Sequence, residues 1–478
     1  MGYLERIDSY RDEMIKALQE LVAIPSVART AEGNMPFGEG VHKAFEYMLM
    51  LGVKEGFDTV NADNFGGHIE FGGYQENGDS KPVERSDEVM GILAHLDIVP
   101  EGSDWEYPPF EGRVVDGRIY GRGTADDKGP AIASFYAMKA LKDEGIMPKK
   151  KVRLILGLDE EAGTGWQSLK GYFRKVEKPA FAFTPDAEFP AIHAEMGLMI
   201  FELVKKLTKT VNKGIELRSL TGGNAANMVA DYARAVLRAD SYEEIKEELN
   251  NFRRETGYKI NAKGVGKCLE ITAHGISSHG ARPHKGLNAI SVMMAFLSKI
   301  AFANDSIGDF IECYNKHIGF ELNGKALGCG FSDDISGDLI FNVGKVNTDD
   351  EAARLTINIR YPVKMNEDAV YEAMMPVLDK YSFGVVKLDH QQPIYIPEDD
   401  KLIVTLMDVY RKHTGDTESR PLVIGGGTYA RSMPNAVAFG MTFPGEPELA
   451  HQKNEYITVD NLILATKIYA ESIYELTK

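Results

Sequence analysis

Glu88-Val89-Met90-Gly91-Ile92-Leu93-Ala94-His95-Leu96-Asp97 is a short, almost unbroken apolar run that ends on a histidine and an acid. An apolar run of this length without polar alternation reads as a strand buried on both faces, as in a parallel sheet. Lys151-Val152-Arg153-Leu154-Ile155-Leu156-Gly157-Leu158 reads the same way. Between the two, residues 129–144 carry a helical pattern that stops at Gly145, a residue suited to a helix C-terminus. Strand, long connection, helix and strand is the signature of an α/β unit whose mostly parallel sheet is covered by helices.

Working outward, Leu4, Ile7, Met14, Leu18, Leu21 and Val22 fall at helical spacing over residues 4–23, and Pro25 closes that helix. Residues 400–414 and 459–476 are amphipathic helices, the second with Thr458 as N-cap. From about 197 to 380 the character changes. Strand-like runs at 198–205, 265–273, 339–346 and 353–361 alternate with helical ones at 225–238, 287–302 and 367–380, which is α+β in flavour. No Pro- or Ser-rich linker marks the boundaries.

The chain has 478 residues, room for two or three domains, and its 44% hydrophobic and 26% charged residues are ordinary globular composition. Disorder, collagen and coiled coil are excluded as the main architecture. Lys and Arg number 54 against 71 Asp and Glu, a formal charge of −17 that suits neither nucleic acid nor an anionic membrane as a partner. Three cysteines, none in a Cys-x-x-Cys pair, argue against a disulfide framework or a zinc knuckle. The N-terminus has no signal-peptide pattern and no run is long and apolar enough to span a bilayer, so a cytoplasmic protein is expected.

The common phosphate, dinucleotide, zincin and nucleophile-elbow motifs are missing. Six weaker signals remain. His95 and Asp97 point to one face of a strand end, where a histidine can bind a metal while a carboxylate fixes its tautomer. Thr124-Ala125-Asp126-Asp127-Lys128-Gly129 precedes a helix and is equally a plain N-terminal turn. Asp159-Glu160-Glu161 follows a buried strand, where three carboxylates are costly without a cation, unless the loop is solvated. Asp186 follows another apolar stretch, and His451 sits in a polar turn. Gly425-Gly426-Gly427-Thr428 is either a tight turn or an anion cradle. Taken together, two histidines and several carboxylates at strand ends suit two divalent ions of the zinc or manganese type that share a bridging carboxylate.

In this order, His95-x-Asp97, Gly121-Arg122-Gly123-Thr124-x-Asp126-Asp127-Lys128-Gly129, Asp159-Glu160-Glu161, Asp186 and His451 resemble the dinuclear metallopeptidases that include carnosinase, aminoacylase and succinyl-diaminopimelate desuccinylase. Thr184-Pro185-Asp186-Ala187-Glu188-Phe189-Pro190 and Ala450-His451-Gln452-Lys453-Asn454-Glu455-Tyr456 resemble the bacterial PepV-type dipeptidase branch in particular. The resemblance implies an α/β catalytic domain with a mostly parallel sheet, phosphorylase/hydrolase-like and of zinc-peptidase type, at 1–195 and 383–478. An inserted α+β lid domain with ferredoxin-like halves is implied at 196–382. It further implies that His95 and Asp186 bind one metal ion, Glu161 and His451 the other, and that Asp126 bridges them. Zn2+ is the expected ion, with Mn2+ or Co2+ as alternatives. Asp97 would orient His95 and Glu160 would be the general base. His279, in His274-Gly275-Ile276-Ser277-Ser278-His279-Gly280, would stabilise the oxyanion. Asn227, Arg360, Gly425, Gly426, Gly427 and Thr428 match substrate-contacting positions, Arg360 holding the substrate carboxylate. Aspartate rather than glutamate at 186 implies a dipeptide with a free α-amino group, and the long lid implies a monomer. An N-acyl-amino-acid or desuccinylase-type amidohydrolase of the same fold is the alternative. A non-catalytic peptide-binding relative would lack part of the metal set or the base, and both are present.

Overall fold

The computed structural model describes residues 2–72, 87–162, 165–208 and 214–478. They form two units. One comprises Met1–His193, Ile396–Leu422 and Thr428–Lys478; the other comprises Ala194–Tyr395 and Val423–Gly427.

The first unit is built on a sheet with strand order Asp58–Asn61, Gly67–Phe71, Lys151–Gly157, Val89–His95, Phe181–Thr184, Ala436–Phe439 and Ala191–Glu195. The four inner strands from Lys151–Gly157 to Ala436–Phe439 run parallel, and the flanking ones are antiparallel. Met90, Ile92, Leu93, Leu154, Ile155 and Leu156 are fully buried, as continuous apolar strands in a covered sheet should be. The helix Lys128–Asp143 is buried over nearly its whole length, because Ala131, Ala133, Ala137 and Ala140 let Arg11–Val22 and Val459–Thr477 pack closely against it. Thr458 caps Val459–Thr477 by accepting a hydrogen bond from the Asn461 N–H. Register pairs His95 with Gly157 and Ile92 with Phe183. The strands therefore end together, and the segments 96–97, 158–161 and 185–186 emerge at one edge of the sheet.

The second unit holds an antiparallel sheet in the order Lys259–Val265, Cys268–His274, Tyr232–Arg238, Glu216–Gly222, Ile340–Thr348, Ala352–Tyr361, Gly197–Lys206 and Phe383–Gln391. The helices Glu243–Thr256, Ala289–Leu297, Asp305–His317 and Glu367–Lys380 accompany this sheet. One apolar core runs through it, including Leu249, Phe296, Phe310 and Leu378 from the four helices.

Two expectations change. Residues 225–238 read as a helix because they are rich in alanine, yet Tyr232–Arg238 is a strand. Ala233, Ala235 and Leu237 alternate with more exposed neighbours and face the core, and pairing with two strands outweighs helix propensity. A return to the first domain at 383 also fails: Phe383–Gln391 hydrogen-bonds to Gly197–Lys206 as the edge of the second sheet. Among the described residues, no helix is long and apolar enough to cross a membrane.

Candidate metal centre

His95 is the last residue of its strand and is fully buried. Its Nε2 lies 3.1 Å from Asp126 Oδ1 and 3.5 Å from Asp186 Oδ2. The other oxygen of Asp126 lies 3.1 Å from His451 Nε2, which is 2.7 Å from Glu161 Oε1. Two triads result, His95–Asp126–Asp186 and Asp126–Glu161–His451, with Asp126 common to both. A tetrahedral ion with bonds of about 2.0–2.1 Å separates its ligand atoms by roughly 3.3 Å, so these spacings match ligands sharing an ion.

Charge makes the same case. Six acids, Asp97, Asp126, Asp127, Glu160, Glu161 and Asp186, crowd around two histidines. Burial raises the carboxyls of Glu160 and Asp186, with further upward pushes from neighbouring acids, and takes Glu161 up to about 7. Burial alone would lower His95, but Asp126, Asp186 and Asp97 outweigh it and hold it well above its ordinary value. Asp126 and Glu161 push His451 up to about 11. Against its burial, Asp126, between the two histidines, is instead held low by them. A cluster that raises its outer acids and charges its histidines is short of positive charge, and its nitrogen and oxygen donors suit divalent ions of the zinc or manganese type.

The supporting contacts sort the acids. The His95 Nδ1–H donates to the Asp97 main-chain carbonyl at 2.9 Å, whereas the Asp97 carboxylate is 3.5 Å away. That carboxylate instead accepts the backbone N–H groups of Glu160 and Glu161 at 3.0 and 2.9 Å. The expected partner of His95 is thus mainly the clamp on the Glu160–Glu161 loop, and the chain itself orients the ring. Asp127 is in neither triad; its Oδ2 accepts the His95 N–H at 2.9 Å, so it braces the strand end rather than capping the helix that follows. Asp159 caps Gln167–Tyr172 by accepting the N–H groups of Gln167 and Ser168. Glu160 is half-buried beside the triads without belonging to either.

The remaining candidates divide between the units. His279, exposed, is paired through a bridge with Met228, and Gly280 N–H donates to the Asn227 carbonyl, so Asn227 and His279 adjoin. Arg360 is 4% exposed in the middle of the second sheet, with Nη1 donating to the Gly425 carbonyl at 2.5 Å and Nε to Asn358 Oδ1. This brings Arg360 to the glycine turn Gly425, Gly426 and Gly427. Thr428 belongs to the first unit, where its hydroxyl accepts the Ala430 N–H and caps the short helix Tyr429–Ser432.

Three supporting residues receive no role from the sequence. Tyr429 is fully buried and meets His95 edge-on with ring centroids 6.0 Å apart. Lys128, pulled down to about 7 by burial, donates to the carbonyls of Leu21 and Ile24 and ties the acidic loop to the end of a helix. Glu455 lies under the loop that carries Asp126; burial and Asp126 raise its carboxyl to about 7 against the pull of backbone donors and Arg122. An aromatic after a glycine turn, and an acid four residues after a candidate ligand, were the only signals for the first and the last.

A model of the peptidase family M20/M25/M40 matches residues 91–475. The chain is 38% identical over 473 residues to the "Putative dipeptidase YtjP" of Bacillus subtilis, with 98% of each chain covered. It is 37% identical over 479 residues to a "Putative dipeptidase" of Staphylococcus epidermidis, covering 99% of this chain and 98% of that one. Among solved structures it is similar to human carnosine dipeptidase 1, with a TM-score of 0.57, 16% identity and coverage of 99% and 98%. It is likewise similar to aminoacylhistidine dipeptidase from Vibrio alginolyticus, with a TM-score of 0.58, 15% identity and 96% of each chain covered. These last two likenesses concern the fold. The chain belongs to peptidase family M20/M25/M40, whose members are divalent-metal peptidases.

Proposed function

We propose that this protein is a dipeptidase that hydrolyses unblocked dipeptides with two divalent metal ions, zinc in the first instance. The observation that carries the reading is Asp126, whose two oxygens serve two separate histidine–carboxylate triads beside the half-buried Glu160. His95, Asp126 and Asp186 would hold one ion, and Asp126, Glu161 and His451 the other. When bound, the ions supply Lewis acidity to the scissile carbonyl and lower the pKa of the attacking water.

The residues of the chain do the rest. Asp97 holds the main chain of Glu160 and Glu161, so the base and the ligand are set by one clamp. Glu160 takes the proton of the attacking water and returns it to the leaving amine. His279 would donate to the oxyanion of the tetrahedral intermediate, Arg360 would pair with the substrate carboxylate, and Asn227 and the 425–428 turn would position the peptide. The protein acts as a cytoplasmic monomer. The relatives described as dipeptidases, and Asp rather than Glu at 186, support the free-amine substrate.

The test combines metal analysis of the purified protein with paired rates on a dipeptide and its N-acetyl form. Two equivalents of metal and preference for the free dipeptide are expected. Preference for the acetylated form replaces this reading with that of an N-acyl-amino-acid amidohydrolase.

A further inference from the structure

Asp126 is the one ligand shared by both triads, so whatever sets its position sets both. Its loop is not held by a regular element: Gly123, Ala125 and Asp126 lie between the strand Arg118–Tyr120 and the helix Lys128–Asp143. Gly123 has φ +91, and a Cβ there would meet Ile98 and Lys128 at 3.0 Å, so the turn requires glycine.

The N–H groups of this turn converge on one atom. Oε1 of Glu455 accepts from Gly123 at 3.0 Å, Ala125 at 2.8 Å and Asp126 at 3.2 Å. Its Oε2 accepts from Arg122 Nη1 at 2.6 Å. Glu455 is fully buried and Arg122 is 2% exposed. Successive backbone N–H groups curled around one point form a concavity that binds an anion. Here the anion is a side chain supplied from 332 residues along the chain. The Gly121 N–H donates to the Glu455 carbonyl, and Tyr456–Thr458 pairs with Arg118–Tyr120, so the two segments are also zipped through their backbones. Four residues before Glu455 stands His451, itself beside Asp126 and held with φ +64.

We infer that Glu455, braced by Arg122, is the positioning residue of the metal centre, setting the shared Asp126 through its backbone from the same loop that presents the ligand His451. It touches neither ion nor substrate. A residue of this kind changes how tightly the ions are held before it changes chemistry, since partners behind a ligand typically matter by roughly 10- to 100-fold in metal affinity. The inference rests on the proposed metal centre.

The experiment measures loss of Zn2+ from the loaded protein to a chromophoric chelator, for wild type and Glu455→Gln, together with kcat and KM at limiting and saturating Zn2+. The amide cannot accept from all four donors. Expected are Zn2+ binding weaker by roughly 10- to 100-fold, kcat reduced at limiting Zn2+ and largely restored at saturation, and KM unchanged. A folded variant that keeps wild-type Zn2+ affinity overturns the inference, as does a loss of kcat that saturating Zn2+ does not restore. If Glu455→Gln does not fold, Glu455→Asp is decisive: it keeps the charge but withdraws it by one methylene, so weaker Zn2+ binding is expected and unchanged binding overturns the inference. Wild-type protein that binds no Zn2+ would instead refute the metal centre itself.

Discussion

Replacing Asp97 with asparagine separates the two tasks that its position allows. The carboxylate is fully buried and accepts two backbone N–H groups, from Glu160 and Glu161, while its distance to His95 Nδ1 is 3.5 Å. Asparagine has nearly the same shape but only one accepting oxygen, so one of the two N–H groups must face an NH2 group. A buried donor left without a partner costs about 1–3 kcal/mol, and the remaining bond loses the strength that a charged acceptor gives it, about 1 kcal/mol more. The ligand-free protein should therefore lose about 2–4 kcal/mol of stability. The displaced loop carries the proposed metal ligand Glu161 and the proposed base Glu160, so both readouts should move: Zn2+ affinity and kcat should each fall by roughly 10- to 100-fold. Urea unfolding of chelator-treated protein gives the first quantity, Zn2+ titration and initial rates the second. Were Asp97 chiefly a partner of the His95 ring, the variant would keep the 160–161 loop in place. A stability within about 0.5 kcal/mol of wild type, with unchanged kcat, would refute the clamp.

Three further outcomes are expected of the same structure. Glu160→Gln should retain both metal ions, because Glu160 is in neither triad, while kcat falls by about 10²- to 10⁴-fold as expected for a lost general base; metal content measured beside initial rates would show whether Glu160 and Glu161 have been assigned the wrong way round. Gly157→Ala places a Cβ 2.3–2.6 Å from the ring of Tyr429, which packs against His95, and should cost about 1–3 kcal/mol, visible as a lower melting temperature and weaker Zn2+ binding. His68 is 4% exposed, with Nδ1 2.7 Å from the Tyr172 hydroxyl, and burial together with Arg153 pulls it down to about 4. Between pH 6.5 and 4 the unfolded chain binds a proton that the folded one refuses, so stability is full above pH 6.5 and falls by about 3 kcal/mol as pH drops to 4. The difference between wild type and His68→Gln in urea unfolding at pH 7 and pH 4.5 should show this loss in the wild type alone.

Much of the centre was legible in the chain because its chemistry sits at the ends of strongly apolar strands. A run such as 88–96 can only be a buried strand, and an acid or histidine at its close must lie where loops meet. The second unit was less legible. Its strands alternate in burial and its alanines favour helix locally, so 232–238 was read against its pairing. The edge strand at 383–391 is half exposed and carried too weak an apolar signal to announce itself.

By itself, then, the sequence determined the α/β core and the residue types of the centre: His95, Asp126, Glu161, Asp186 and His451, each beside an apolar run or a polar turn. Tertiary structure alone decided what holds them in place. Asp97 clamps a loop 63 and 64 residues ahead, and Glu455 fills a turn 330 residues behind it. The physical reason is that a carboxylate's partners are chosen by distance in space. Hydrogen bonds across hundreds of residues leave no periodicity in the chain, whereas burial of a strand does.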